Sequence, residues 1–187
     1  MEQAYTQFFQ RYWTELGLAA GRIDQNCFAA LVEALKEALA RNRTIYIFGN
    51  GGSGSTAAHF ACDLNKGVSY QKSHRFKVIC LNDNMPTLLA YANDVSYADV
   101  FVEQLKNFLQ AEELVIGVSG SGNSPNVLKA VDYANAHGGR TFGICGFGGG
   151  QLAQLAQQAL VVHSNDMQQV EDLHLIVFHM VMQILCQ

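Results

Sequence analysis

Two spacings of apolar residues alternate along the chain, and each change of spacing marks an element. Residues 4–20 carry Tyr5, Phe8, Phe9, Tyr12, Trp13 and Leu16 three and four positions apart, the period of a helix with one apolar stripe. Asp24 stands where a cap belongs for a second helix over residues 25–41, with Phe28, Leu31, Val32, Leu35 and Leu39 on one face. Apolar positions then become contiguous. Residues 44–48, 77–81, 114–118, 140–145 and 159–163 are short apolar runs that read as strands. Helical spacing returns between them, over residues 56–65, 88–92, 97–109, 126–137 and 152–157, and a long helix closes the chain from about residue 167.

Strands without polar alternation are buried on both faces. Alternating them with helices predicts an α/β fold: a doubly wound, mostly parallel five-stranded sheet flanked by helices, of the flavodoxin-like kind. No repeat, low-complexity tract or linker interrupts residues 1–187, which read as one domain with a helical segment (1–42) and an α/β core (43–187). The aromatic stripe of the first helix is large for an element outside that core. It packs either within the chain or against another subunit.

Composition narrows the function classes. Of 187 residues, 49% are hydrophobic and 15% charged, a globular balance. A formal net charge of -4 is the wrong sign for a duplex-binding surface, which argues against nucleic acid as a direct partner. Residues 1–16 do not read as a secretory signal, and no stretch reads as the roughly 20 uncharged apolar residues that span a bilayer. The five cysteines, Cys27, Cys62, Cys80, Cys145 and Cys186, are scattered and odd in number, as expected of reduced thiols in a cytoplasmic protein.

Two glycine- and serine-rich stretches each follow a strand and open a helix. They are Gly49-Asn50-Gly51-Gly52-Ser53-Gly54-Ser55 and Ser119-Gly120-Ser121-Gly122-Asn123-Ser124. Glycine lets backbone N–H groups approach an anion, serine adds neutral donors, and a helix start favours negative charge. In a parallel sheet both stretches leave the carboxyl edge, where ligands bind. Together they predict a phosphate site. No GK[ST] is present, and the first stretch fails the dinucleotide fingerprint at its third glycine, so no nucleotide cofactor is expected.

Acid–base candidates fall on two helices. His59 and Asp63 are four apart, on one face. Glu171 and His179 lie within about 80° of each other on the last helix, with His174 to the side. A carboxylate and an imidazole brought together suit an enolisation, one moving a carbon-bound proton and the other the oxygen-bound protons. The same four groups, His59, Asp63, Glu171 and His179, also suit a divalent metal such as zinc. Three of them have a plainer reading: His59, before Phe60, as a hydrogen-bonded packing residue, His179, between Phe178 and Met180, as a core histidine, and Glu171 as a first-turn acid. Asp94, after Asn93, reads as a cap, and His74, His137 and His163 show no partner in the sequence.

Taken together, these residues resemble the phosphoheptose isomerase branch of the SIS (sugar isomerase) family. The resemblance rests on Gly49-Asn50-Gly51-Gly52-Ser53 with His59-Phe60, Asn93-Asp94, Ser119-x-Ser121-Gly122-Asn123-Ser124 with Asn126-Val127, and the stretch from Glu171 to His179. It implies an aldose–ketose isomerase acting on a sugar phosphate, sedoheptulose 7-phosphate above all, in a homotetramer whose sites draw on more than one subunit. It implies phosphate contacts by Ser53, Ser119, Ser121 and Ser124, with Gly51, Gly52 and Gly120 in the same loops. Asn50 and Asp94 would line the sugar site. It implies metal ligation by His59, Asp63, Glu171 and His179, with Asp63 as base and His179 as acid. Two positions depart from the family pattern. Asp63 stands for a glutamate, which withdraws the carboxylate by about 1.5 Å, a displacement that can cost on the order of a hundredfold in rate. Glu171 stands for a glutamine and adds a negative charge. The family also contains non-catalytic sugar-phosphate sensors and an adaptor of the bacterial replication initiator, the alternative role for this chain.

Overall fold

The computed structural model describes residues 2–187. Two helices come first, α1 (Glu2–Ala20) and α2 (Gln25–Ala40), the second capped as expected by Asp24, whose Oδ1 accepts from Asn26 N at 2.7 Å. Then follow β1 (Thr44–Gly49), α3 (Gly51–Cys62), β2 (Lys77–Cys80), α4 (Met85–Asp94), α5 (Val102–Phe108), β3 (Leu114–Ser119), α6 (Pro125–Ala136), β4 (Arg140–Gly146), α7 (Leu152–Leu155), β5 (Gln158–Val162) and α8 (Met167–Cys186). All five strands are parallel, in the order β2-β1-β3-β4-β5. This is the doubly wound arrangement expected from the contiguous apolar runs.

One face of the sheet is covered by α1, α2, α3 and α8, which bury Leu31, Leu35, Phe60, Val177 and Phe178 against Ile45, Ile47, Ile116 and Ile144. The other is covered by α5, α6 and α7 over Tyr46, Phe48, Val115 and Cys145. The chain leaves β1 toward the first face and β3 toward the second. The crevice between those neighbouring strands is thus the switch point at which α/β sheets bind ligands.

Three expectations need correction. The stretch 49–55 is not a loop: Gly49 ends β1 and α3 begins at Gly51, so Gly51, Gly52 and Ser53 sit in its first turn and only Asn50 belongs to neither element. Gly51 takes φ +52°, a left-handed value that glycine adopts without strain. The region 97–109 is not one helix. Ser96 caps a single 3-10 turn, Tyr97–Asp99, by accepting from Ala98 N at 3.1 Å, and α5 starts three residues later. Finally, α8 is long and apolar enough, by length and composition alone, to cross a bilayer. Its apolar stripe is accounted for by packing, since Val170, Leu173, Val177, Phe178 and Val181 lie in the core.

Immediately after α3 the helix widens into a π-helical segment, Asp63–Val68. Asn65 on this segment reaches the edge strand: its Nδ2 donates to Val78 O at 2.8 Å and its Oδ1 accepts from Val78 N at 3.1 Å. Leu81 N donates to Ile47 O of β1, so the alternate residue Val78 directs its backbone groups outward, where Asn65 meets them. The segment that begins with Asp63 is thereby tied to the sheet.

Candidate active site

Helices α3 and α8 run side by side in the same direction. Phe60 stacks on Phe178 with ring centroids 4.0 Å apart, and His59 meets His179 at 5.0 Å. Further up the pair, Glu171 lies across Gly52 so closely that a Cβ there would overlap both carboxylate oxygens. A side chain at position 52 would therefore require the Glu171 carboxylate to move. Both helices point their N-termini at the carboxyl edge of the sheet, where the serines gather.

A pocket of about 120 Å³ is lined by Asn50, Ser53, Ser119, Gly120, Ser121, Ser124, Met167 and Glu171. It brings the two glycine–serine stretches together. Ser119 Oγ and Ser124 Oγ are 3.1 Å apart, and Ser121 Oγ accepts from Asn123 N at 3.2 Å. The start of α3 has no side-chain cap, because the Asn50 amide is engaged elsewhere. Its Nδ2 donates to Asn126 Oδ1 and its Oδ1 accepts from Asn126 Nδ2, both at 2.9 Å, while Tyr97 Oη donates to Asn50 Oδ1 at 2.9 Å. The first N–H groups of α3 therefore point out of the helix without a side-chain acceptor from Asn50, an anion-favouring end. By contrast Asp166 caps α8, accepting from Gln168 N and Gln169 N.

Two turns along α3, His59, Asp63 and His179 offer donor atoms that all lie within 4.8 Å of one another. His179 Nε2 is 3.1 Å from His59 Nε2, and Asp63 Oδ2 is 3.5 Å from His59 Nε2 and 3.8 Å from His179 Nε2. The shortened carboxylate thus still reaches both rings. Asp63 Oδ2 is buried with no hydrogen-bond partner among the described residues, an unusual state for a carboxylate oxygen. Two imidazole nitrogens and an unpartnered carboxylate oxygen form a donor set that suits a divalent cation.

Glu171 is not in this group. Its carboxylate lies at Gly52 and borders the serine pocket. Nor does Asp94 line the pocket: it is exposed at the end of α4 and accepts from Asn93 Nδ2 at 2.7 Å. His174 points the other way, fully buried, with Nε2 2.8 Å from Cys145 O and Nδ1 without a partner. Burial pushes its pKa down to about 4. It is the core histidine that His179 also resembled in sequence.

This arrangement matches a known family along most of the chain. Residues 9–146 match the SIS domain. The protein belongs to the SIS domain family. Its relatives include the phosphoheptose isomerase of Helicobacter pylori strain P12, 37% identical over 148 residues covering 79% of this chain and 77% of that protein. That of Paramagnetospirillum magneticum is 35% identical over 152 residues, 81% of this chain and 79% of the other. Among solved structures, a phosphoheptose isomerase from Neisseria gonorrhoeae superposes with a TM-score of 0.89 at 23% identity, over 99% of this chain and 98% of that one. One from Francisella tularensis gives 0.91 at 20% identity, over 100% and 99%. The SIS sheet and its N-terminal helices are therefore shared with these structures.

Sequence reasoning missed three residues of the site. Asn126 was visible only as part of the Ser119–Val127 motif, and Tyr97 as one aromatic in a helix. Met167 was simply where α8 starts. Its thioether fills the space beside Gly120, where a side chain would collide with it.

Proposed function

We propose that the protein is an aldose–ketose isomerase that converts sedoheptulose 7-phosphate to the corresponding aldose phosphate. One observation carries the reading: a serine-lined, uncapped helix start and an imidazole–carboxylate cluster stand on the same helix. Ser53 and His59 are six residues apart, roughly 9 Å along the axis at the rise of an α-helix. An extended chain advances about 1.2 Å per bond, so the seven bonds from C2 of a heptose 7-phosphate to phosphorus span roughly 8 Å. A triose phosphate, with three such bonds, is too short to reach both ends. The names of the relatives at 35–37% identity support the same substrate class.

The serines and the first turn of α3 hold the phosphate, which binds the substrate far from the reacting carbons and leaves that binding energy to orient them. Asp63 or Glu171 takes the proton from C1 and returns it to C2, and His179 moves the proton between the two oxygens. Zinc held by His59, Asp63 and His179, with Glu171 as a further ligand, would polarise the carbonyl and stabilise negative charge on its oxygen. Asn50, fixed by Asn126 and Tyr97, lies beside the pocket to receive sugar hydroxyls.

Assembly belongs to the same reading. Tyr5, Phe8, Phe9 and Trp13 on α1 are each more than half exposed, and Ile176, Met180 and Ile184 line an outer stripe of α8. These surfaces suit burial between copies in a cytoplasmic homotetramer, with residues 1–42 as the assembly segment of one SIS domain.

The test is incubation with sedoheptulose 7-phosphate in deuterated water, with and without zinc, followed by NMR. Deuterium at the carbon beside the carbonyl, with an aldose appearing, is the expected outcome. Binding without exchange or product would refute catalysis and favour the sensor or adaptor role.

A further inference from the structure

Glu171 occupies a position that its charge makes conditional. Its carboxylate borders the serine pocket and lies over the first turn of α3. Among the described residues no hydrogen bond or ion pair is formed by that carboxylate, so only the helix start favours it there. A doubly charged oxyanion is favoured by the same helix start and by the serines around it. The two cannot share a pocket of about 120 Å³ without strong repulsion. On the same face of α8, the other polar destination is the cluster of His59, Asp63 and His179. Helical side chains lean toward the N-terminus, so His59 and His179 reach back toward Glu171, which must itself turn out of that lean to meet them.

We propose that Glu171 is a swinging carboxylate that couples the serine pocket to the histidine cluster. An oxyanion entering the pocket displaces it toward the cluster, where it completes a divalent-cation site. A cation at the cluster in turn draws it out of the pocket, so dianion and cation bind with positive cooperativity. Linkage makes the two effects equal. A glutamine at this position would lack the charge that couples them. The inference rests on the anion and cation assignments made above, but not on turnover.

The experiment measures binding by the intact protein. Zinc affinity is determined by competition with a chromophoric chelator, with and without saturating sulfate, a dianion that does not precipitate zinc. Sodium chloride holds ionic strength constant. Direct attraction between two double charges roughly 9 Å apart, screened at physiological salt, gives only about threefold coupling. With Glu171 the expected coupling is about thirtyfold, and in Glu171→Gln it falls to about threefold. A second reading needs no metal: sulfate should bind metal-free Glu171→Gln about tenfold more tightly than metal-free wild type. Equal sulfate affinities for the two metal-free proteins, or full coupling retained in Glu171→Gln, would overturn the proposal while leaving the isomerase reading intact. No sulfate binding to either protein would overturn it together with the assignment of the serine pocket.

Discussion

His174 gives the protein an acid-sensitive clamp between α8 and β4. In the folded state it is neutral, because burial pushes its pKa from 6.5 to about 4, and Nε2–H donates to Cys145 O. Unfolding returns the imidazole to water, where it binds a proton near pH 6.5. The folded-state pKa is the lower of the two. Between pH 6.5 and 4 the unfolded chain therefore holds more protons, and stability falls as pH falls through that window. With these two pKa values the loss between pH 7.5 and 5 is about 2 kcal/mol, approaching about 3 kcal/mol below pH 4. Urea unfolding at pH 7.5, 6 and 5, at one protein concentration, measures it by far-UV circular dichroism. Trp13 is largely exposed and would report poorly by fluorescence. His174→Leu is the partner variant. It removes the titrating group and the unpaired Nδ1 at the cost of the bond to Cys145 O. Its stability should change about 2 kcal/mol less than that of wild type over the same interval, whatever its value at pH 7.5. Acid limbs of equal slope for the two proteins would refute the argument.

Other expectations follow from single contacts. Asp63→Asn keeps the shape but removes the carboxylate and, where Asp63 rather than Glu171 is the base, should lower kcat by about 10² to 10⁴ with sedoheptulose 7-phosphate, while equilibrium dialysis finds sulfate still bound. Ser119→Ala removes one pocket hydroxyl and the Ser124 contact; kcat/KM should fall about tenfold, read from initial rates. Asn65→Leu leaves two backbone groups of Val78 without their partner and should cost about 2 kcal/mol in urea unfolding. Tyr12→Phe deletes the 2.6 Å bond from Tyr12 Oη to Asp172, whose carboxylate raises the phenol pKa to about 12; a loss of about 1 kcal/mol is expected at neutral pH.

The sheet was legible because its strands are buried on both faces, and burial leaves an uninterrupted apolar run. The start of α3 was not. Glycine and serine read as loop by propensity, yet the backbone after Asn50 winds at once, bringing the Gly52 Cα under the Glu171 carboxylate. His59, Asp63 and His179 could be listed from the sequence, but their meeting depends on the shared direction of α3 and α8, which no local pattern encodes. The same packing shows Glu171 at the pocket rather than with them, a distinction of rotamer rather than of sequence. Asn126 and Tyr97 escaped notice because their role is to hold another side chain, Asn50, and hydrogen bonds between residues 76 and 47 positions apart leave no periodic trace.

Asn65 has one more effect, on how molecules of this protein can join. By occupying the outward N–H and C=O of Val78, it works as a stopper on the margin of the sheet, and a neighbouring chain finds no free ladder to zip onto there. At this edge, strand addition, which is hard to reverse, is blocked, whereas contacts between side chains on helical surfaces are untouched by it. Such contacts form and part with dilution and weaken in the cold. A single amide thus closes the β2 edge to strand addition, a route to aggregation.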